Sequence, residues 1–358
     1  MPHRPDALKY LAFNWFAVVM TLAGLSLAWG RATPILGDMA GAGALVLGAA
    51  AALMLLALLV LSWMRWQHYP EAVAGDMKHP VRHGFIATLP VSLILVATVA
   101  ASLFGAEWGV VGLWRLGSLA QFGVTLWVLA RWLSADKTQA FNWPALTPVL
   151  IVPVVGNVLA PLAGTSLGAG AWAAAQFGIG VLLWPVLLAL LFARIATHGM
   201  WPERLLPTTF ISIAPPAVIG TAALQLGGPV VLGWMCWGVA LFFLLWSAQI
   251  GRRMLAQPFS IAFWSMGFPL AAFASLSLRL AMQHPGRAGA GHDGAGTGLA
   301  GGRGADHRHL EGLARRQPAA ARASGHRRRA GQPHGAGAAM SGPQRRRRLE
   351  GGGLVRFS

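Results

Sequence analysis

Few side chains in this sequence could do chemistry, and their spacing sets up no reaction. There is no phosphate-binding Walker loop, no His-x-x-x-His pair on a helix and no Gly-x-Ser-x-Gly elbow. Cys236 is the single cysteine, so a disulfide framework and a cysteine-ligated metal are excluded; its apolar neighbours make it a small core residue. His68, His79, His83 and His198 fall in polar connections with no acid or cysteine at ligand spacing, and they read as solvated loop residues. Glu71, Asp76, Asp136 and Glu203 also fall in connections, and no carboxylate lies inside an apolar run. An ion-coupled carrier often keeps an acid there, because an intramembrane charge is costly and retained for coupling. The residues predict no enzyme, no metal and no cofactor, and favour passive permeation.

The informative residues are prolines and small polar groups. Pro90, Pro148, Pro153, Pro161, Pro215, Pro216 and Pro269 interrupt apolar runs. Inside a helix, proline deletes a hydrogen bond and bends the axis, and in a membrane the freed carbonyl must face protein or a hydrated cavity. Asn14, Thr88, Asn157, Ser212 and Ser265 accompany these interruptions, as groups that either touch a hydrated lumen or bond between helices.

Helices long enough to cross a bilayer must position these groups. Of 358 residues, 55% are apolar and 11% are charged, against roughly 25% charged in a soluble domain. Nine apolar runs of about 20 residues are expected to span, at 11–29, 41–63, 84–104, 110–133, 144–163, 171–195, 207–226, 230–250 and 259–281. Most prolines lie in the odd runs, whereas runs two, four and eight have none in their interiors. This points to an inner ring of bent odd helices around a pore, with straight even helices facing lipid. Kinks that merely improve packing are the competing reading.

Charge sets the expected orientation. Loops on one side carry eleven Lys and Arg, among them Arg65, Arg82, Arg131 and Arg253; those on the other carry Arg31, Arg115 and Arg279. Basic residues collect on the cytoplasmic side, which places the N-terminus, residues 1–10, in the cytoplasm of a bacterial-type inner membrane and the transmembrane domain at 11–283. Residues 284–358 carry 14 Arg against 4 acids and lack apolar periodicity, so a disordered tail is expected. Its Arg, Gly, Ala and Pro bias fits an out-of-frame translation of GC-rich DNA better than a nucleic-acid-binding patch.

Four motifs in order then carry a resemblance. They are His79-Pro80-Val81 leading to Phe85 and Pro90; Pro148 to Asn157 and on to Pro161-Leu162-Ala163-Gly164; Ala214-Pro215-Pro216-Ala217 with Gly220; and Pro258-Phe259-Ser260 to Phe268-Pro269-Leu270-Ala271. Over residues 10 to 282 the chain resembles the tellurite-resistance and C4-dicarboxylate transporter family, whose plant relatives are slow-type anion channels. The resemblance implies an all-α membrane fold of ten helices in five hairpins, quasi-fivefold about a pore, and a homotrimer in the lipid bilayer. It also implies a pore-blocking phenylalanine, matched by Phe268; on spacing alone Phe268 is a core aromatic. Two features depart from the family: Ala12 stands where relatives often have proline, and the tail replaces the tenth helix.

The expected function is a transmembrane anion channel or uniporter for small inorganic anions or dicarboxylates, gated by Phe268. The pore-lining candidates are Asn14, Phe85, Thr88, Asn157 and Ser212, and the kinks are Pro90, Pro153, Pro215, Pro216 and Pro269. A coupled exporter of an oxyanion or dicarboxylate, and a non-transporting receptor or scaffold, are the alternatives.

Overall fold

Uninterrupted apolar runs fold into long helices, and glycine or proline ends them. The computed structural model describes residues 7–133 and 143–283. In chain order its helices are α1 (Phe16–Leu36), α2 (Asp38–His68), α3 (Pro70–Lys78), α4 (Thr88–Phe104), α5 (Trp108–Trp132), α6 (Ile151–Val155), α7 (Pro161–Gly164), α8 (Gly170–His198), α9 (Ala214–Gln225), α10 (Val230–Ala248), α11 (Gly251–Leu255) and α12 (Gly267–Met282). Gly37 and Gly105 stop α1 and α4 with φ of 69° and 81°, a backbone conformation that side chains with a Cβ rarely adopt. Eight helical stretches are long and apolar enough to cross a membrane, and the chain is an all-α integral membrane protein. The fifth expected span departs from this pattern: it is a shorter broken piece, Pro148–Gly164, in which α6, a 3-10 turn and α7 follow one another. The residue 284–358 tail, and the loop holding Asp136, lie outside the described residues.

The prolines act differently from the expected mid-helix bends. Pro90, Pro153, Pro216 and Pro269 each occupy the third residue of α4, α6, α9 and α12. The first N–H groups of an α-helix have no acceptor within it, so proline there removes no helical hydrogen bond. Its ring does collide with the carbonyl four residues back. Those carbonyls belong to Ile86, Val149, Ser212 and Ser265, and all four lie in 3-10 segments: Arg82–Ala87, Pro148–Leu150, Glu203–Ile213 and Ile261–Met266. The prolines therefore mark a change of helix type, repeated in four inner segments. A 3-10 turn, Phe13–Trp15, also leads into α1, without a proline.

Burial sorts the helices into two rings. Within the most apolar window, 94% of Glu203–Gln225 and 67% of Arg82–Phe104 is buried, against 22% of Gly170–His198 and 28% of Asp38–His68. The outer helices bury one narrow stripe at three- and four-residue spacing: Ala40, Ala44, Gly48, Ala51, Leu55 and Leu58 on α2, and Gly233, Cys236, Ala240, Phe243 and Ser247 on α10. Small residues there let backbones approach closely, as in membrane helix pairs generally. Ser26 of α1 uses that proximity, donating to the Ala44 carbonyl at 2.7 Å. The rest of each outer helix presents leucine, valine and tryptophan outward, such as Leu53, Leu56 and Trp63, as a lipid-facing surface must. In Ile261–Met282 only 39% of the window is buried; no outer helix follows α12 among the described residues.

Two groups of charged residues differ from the loop assignment. Arg31, counted among the loop charges, lies within α1 because that helix runs past the expected end at 29. Arg279 likewise stands inside α12, Arg65 inside α2, and Arg115 and Arg131 inside α5, rather than in loops. Asp76 and His83, expected in solvent, are buried.

Candidate functional site

The five 3-10-to-α switches converge on a central cavity of about 60 Å³. Each inner segment contributes to its wall: Ala17 and Met20 from α1, Phe85 and Thr88 at the α4 switch, Val155 and Gly156 from the broken fifth segment, Pro215 and Val218 from α9, and Phe268 and Pro269 from α12. The wall is almost entirely hydrocarbon, with Thr88 and Ser265 its polar side chains. A second cavity of about 30 Å³ is lined by Gly24, Leu27, Arg31, Leu162, Val218, Thr221, Phe268, Ala272 and Ser275. Phe268 and Val218 belong to both walls, so these two side chains form the partition between the cavities. No carboxylate among the described residues lines either cavity.

Contacts with α1 hold Phe268 in place. A Cβ on Gly24 would stand 2.9 Å from Phe268 Cδ2, so the glycine makes room for the ring. One residue earlier, Gly267 packs directly on Thr21, leaving no space for a side chain. Thr21 Oγ1 donates to the Trp264 carbonyl at 3.0 Å, tying α1 to the last 3-10 turn before Phe268. The ring is 7% exposed.

Side chains from neighbouring segments satisfy the interrupted backbone. Gln121 Nε2 of α5 donates to the Val152 and Pro153 carbonyls at 3.2 and 3.3 Å, and Thr125 Oγ1 donates to Pro153 O at 2.7 Å. Asn157 Nδ2 donates to Thr125 Oγ1 at 2.7 Å. Thr88 Oγ1 lies 2.7 Å from Phe13 O and 2.6 Å from Phe85 O, bridging two switches. The Gln121, Thr125 and Thr88 bonds supply partners that backbone carbonyls in a membrane protein require, and Asn157 holds Thr125 in place.

Of the sequence candidates, Phe85, Thr88, Pro215, Phe268 and Pro269 come together on the central cavity. Asn14, Asn157, Ser212, Pro90, Pro153 and Pro216 stand outside its wall. Asn157 turns to α5 instead, and Ser212 is buried in the 3-10 segment before α9. The sequence reading missed Gly24 and Val218, which no spacing signal marks. It also missed Arg31 and Ser275; Pro34, three residues after Arg31, pointed to a helix end, yet α1 continues through it to Leu36.

The opposite, basic end carries a buried ion cluster. Asp76 of α3 accepts from Arg65 and from Arg82, each at 2.7 Å, and Arg65 Nε also donates to the Lys9 carbonyl. Arg131 lies over the Trp127 ring and donates to Met77 O at 3.1 Å. His79 Nδ1 accepts from the Val81 and Arg82 backbone N–H groups, both at 3.1 Å. Desolvation lowers the pKa of His79, and the Arg82 charge adds to this while Asp76 opposes it. This cluster fixes α3 between α2 and the α4 switch.

Comparison with known proteins gives a consistent answer. The voltage-dependent anion channel family matches residues 10–300. An uncharacterized transporter of Methanocaldococcus jannaschii is 27% identical over 303 residues, covering 76% of this chain and 84% of its own. An S-type anion channel of Arabidopsis thaliana is 25% identical over 235 residues, 63% of this chain and 43% of that protein. A tellurite resistance protein homologue of Haemophilus influenzae is 24% identical over 274 residues, 74% of this chain and 80% of its own. Family members are channels or transporters rather than enzymes.

Proposed function

Because the chain belongs to the voltage-dependent anion channel family, we propose that it carries small anions passively through the central cavity and that Phe268 is the gate. The observation that supports this reading is the shared wall: one aromatic ring, with Val218, lines two neighbouring cavities at once. A dry apolar constriction is a large barrier to a hydrated anion. The cavity walls also support passive permeation, since they offer no acid with which to couple a proton or cation. The protein is proposed to act as a homotrimer in a bacterial-type inner membrane, with its N-terminus and the Asp76 cluster on the cytoplasmic side.

Anion-replacement electrophysiology on Phe268→Ala tests the gate. Current should rise strongly over the parent, and Phe268→Leu should lie between them. Truncating a buried phenylalanine costs about 3–5 kcal/mol at most, so the variant must first be shown to fold and insert. A folded, inserted Phe268→Ala that passes no more anion than the parent overturns the assignment. A current that instead follows a pH gradient identifies a coupled exporter of an oxyanion or dicarboxylate.

A further inference from the structure

The 30 Å³ cavity beyond Phe268 has an electrostatic imbalance that packing does not explain. Arg31 lies 15 residues into α1, about 22 Å along the axis from its start, and its partly buried side chain lines the cavity. Among the described residues its guanidinium has no hydrogen-bond or ion-pair partner. The nearby Arg279 adds a like charge. Arg279 itself is held by a neutral group, donating to Gln225 Oε1 at 2.9 Å, and Gln225 Nε2 in turn donates to Thr165 Oγ1 at 3.4 Å. Its positive charge is therefore oriented but not neutralised. Ser275 is buried on the same wall, and its hydroxyl has no side-chain hydrogen bond among the described residues. Two neighbouring cations on membrane-spanning helices, with no acid among the described residues to neutralise them, are costly and favour a bound counter-charge.

We propose that Arg31 and Ser275 form an outer binding site for a small inorganic monovalent anion, directly on the far side of the Phe268 ring from the central cavity. This inference rests on the anion-conduction reading and adds a capture step to it. Arg31 supplies charge-assisted N–H donors, Ser275 an O–H donor, and Arg279 a supporting field. A volume of about 30 Å³ holds an ion with a water or two, which suits a halide or nitrate and excludes a C4-dicarboxylate in this conformation. An anion held there waits against the partition and enters the central cavity when the ring moves.

The test reads binding separately from conduction. The full chain, purified in detergent, is titrated with sodium bromide replacing sodium gluconate at constant ionic strength, and the thermal midpoint is followed. The midpoint should rise and saturate, because a ligand of the folded state stabilises it by mass action. Arg31→Gln should raise the half-saturating bromide concentration about tenfold, or about 1.4 kcal/mol, the scale of one lost hydrogen bond to a charged group. Ser275→Ala should raise it about threefold, for one neutral donor. Arg115→Gln, which removes an exposed arginine of α5, should leave it unchanged. If Arg31→Gln does not fold, Arg31→Lys and Ser275→Ala carry the test, each weakening bromide. A midpoint that never saturates in the parent overturns the site, as does saturation unaltered by Arg31→Gln. A saturable, Arg31-dependent shift in a protein whose Phe268→Ala variant passes no current supports the site and refutes the gate. A conducting Phe268→Ala without saturable bromide binding does the reverse.

Discussion

Adding one methyl group to Gly24 should disturb the gate without touching the gating residue. The new Cβ of Gly24→Ala would lie 2.9 Å from Phe268 Cδ2 and 3.2 Å from Ala271 Cβ. Carbon atoms prefer about 3.5–4.0 Å, so the ring must yield by roughly 0.6–1.1 Å. It can turn toward either cavity, since both adjoin it. Overpacking of this kind typically costs about 1–3 kcal/mol. The Ala271 contact is longer but its Cβ cannot turn aside, so its share of the cost remains when Phe268 is removed. Thermal unfolding of Gly24→Ala, Phe268→Ala and the double variant forms a cycle that isolates the ring contact. Gly24→Ala should destabilise the parent by about 1–3 kcal/mol but cost at least about 1 kcal/mol less when Phe268 is already alanine. Its anion current should exceed the parent's and fall below that of Phe268→Ala. Equal destabilisation in both backgrounds, with no added current, would falsify the claim that Gly24 seats the ring.

The remaining expectations concern the basic end and the topology. Asp76→Asn leaves the buried Arg65 without its carboxylate and should cost about 3–5 kcal/mol in unfolding measured in detergent; an unchanged midpoint would show that the pair is dispensable. His79 has a folded pKa below its unfolded value, so the unfolded state binds the proton first and stability is lost as pH falls below about 6.5. Protonation also ends its acceptance of the Val81 and Arg82 N–H groups, so His79→Asn should flatten this acid limb of the stability profile, and an unaltered limb would assign it to another group. In a Cys236→Ala background, a cysteine at Glu71 should label from the cytoplasm and one at Glu107 from the opposite side; the reverse pattern would overturn the loop-charge orientation.

Hydropathy is a property of consecutive residues, so the membrane class, the positions of the apolar runs and the contrast between odd and even segments were legible before any coordinates. Pro90, Pro153, Pro216 and Pro269 were legible as interruptions, because proline's ring acts on the carbonyl four residues back, within its own segment. Their meaning was not, since a bend and a change from 3-10 to α differ only in the path of the preceding turn. The motif resemblance pointed to Phe268, but nothing near it in sequence pointed to Gly24, 244 positions earlier.

What the tertiary structure alone decided is which way each side chain faces and what meets it there. Asp76 and His83 read as solvated because charged loops usually are, yet α3 folds back and buries Asp76 between two arginines. Arg31 counted only as one basic residue at a membrane edge until α1 continued through it and directed it into the cavity behind Phe268. The Thr21–Trp264 bond joins residues 243 apart, and the partition exists only because such contacts bring α1 against α12. A sequence specifies local periodicity through short-range sterics and transfer energies. The azimuth of a helix and the partner across it are settled by the whole bundle packing at once.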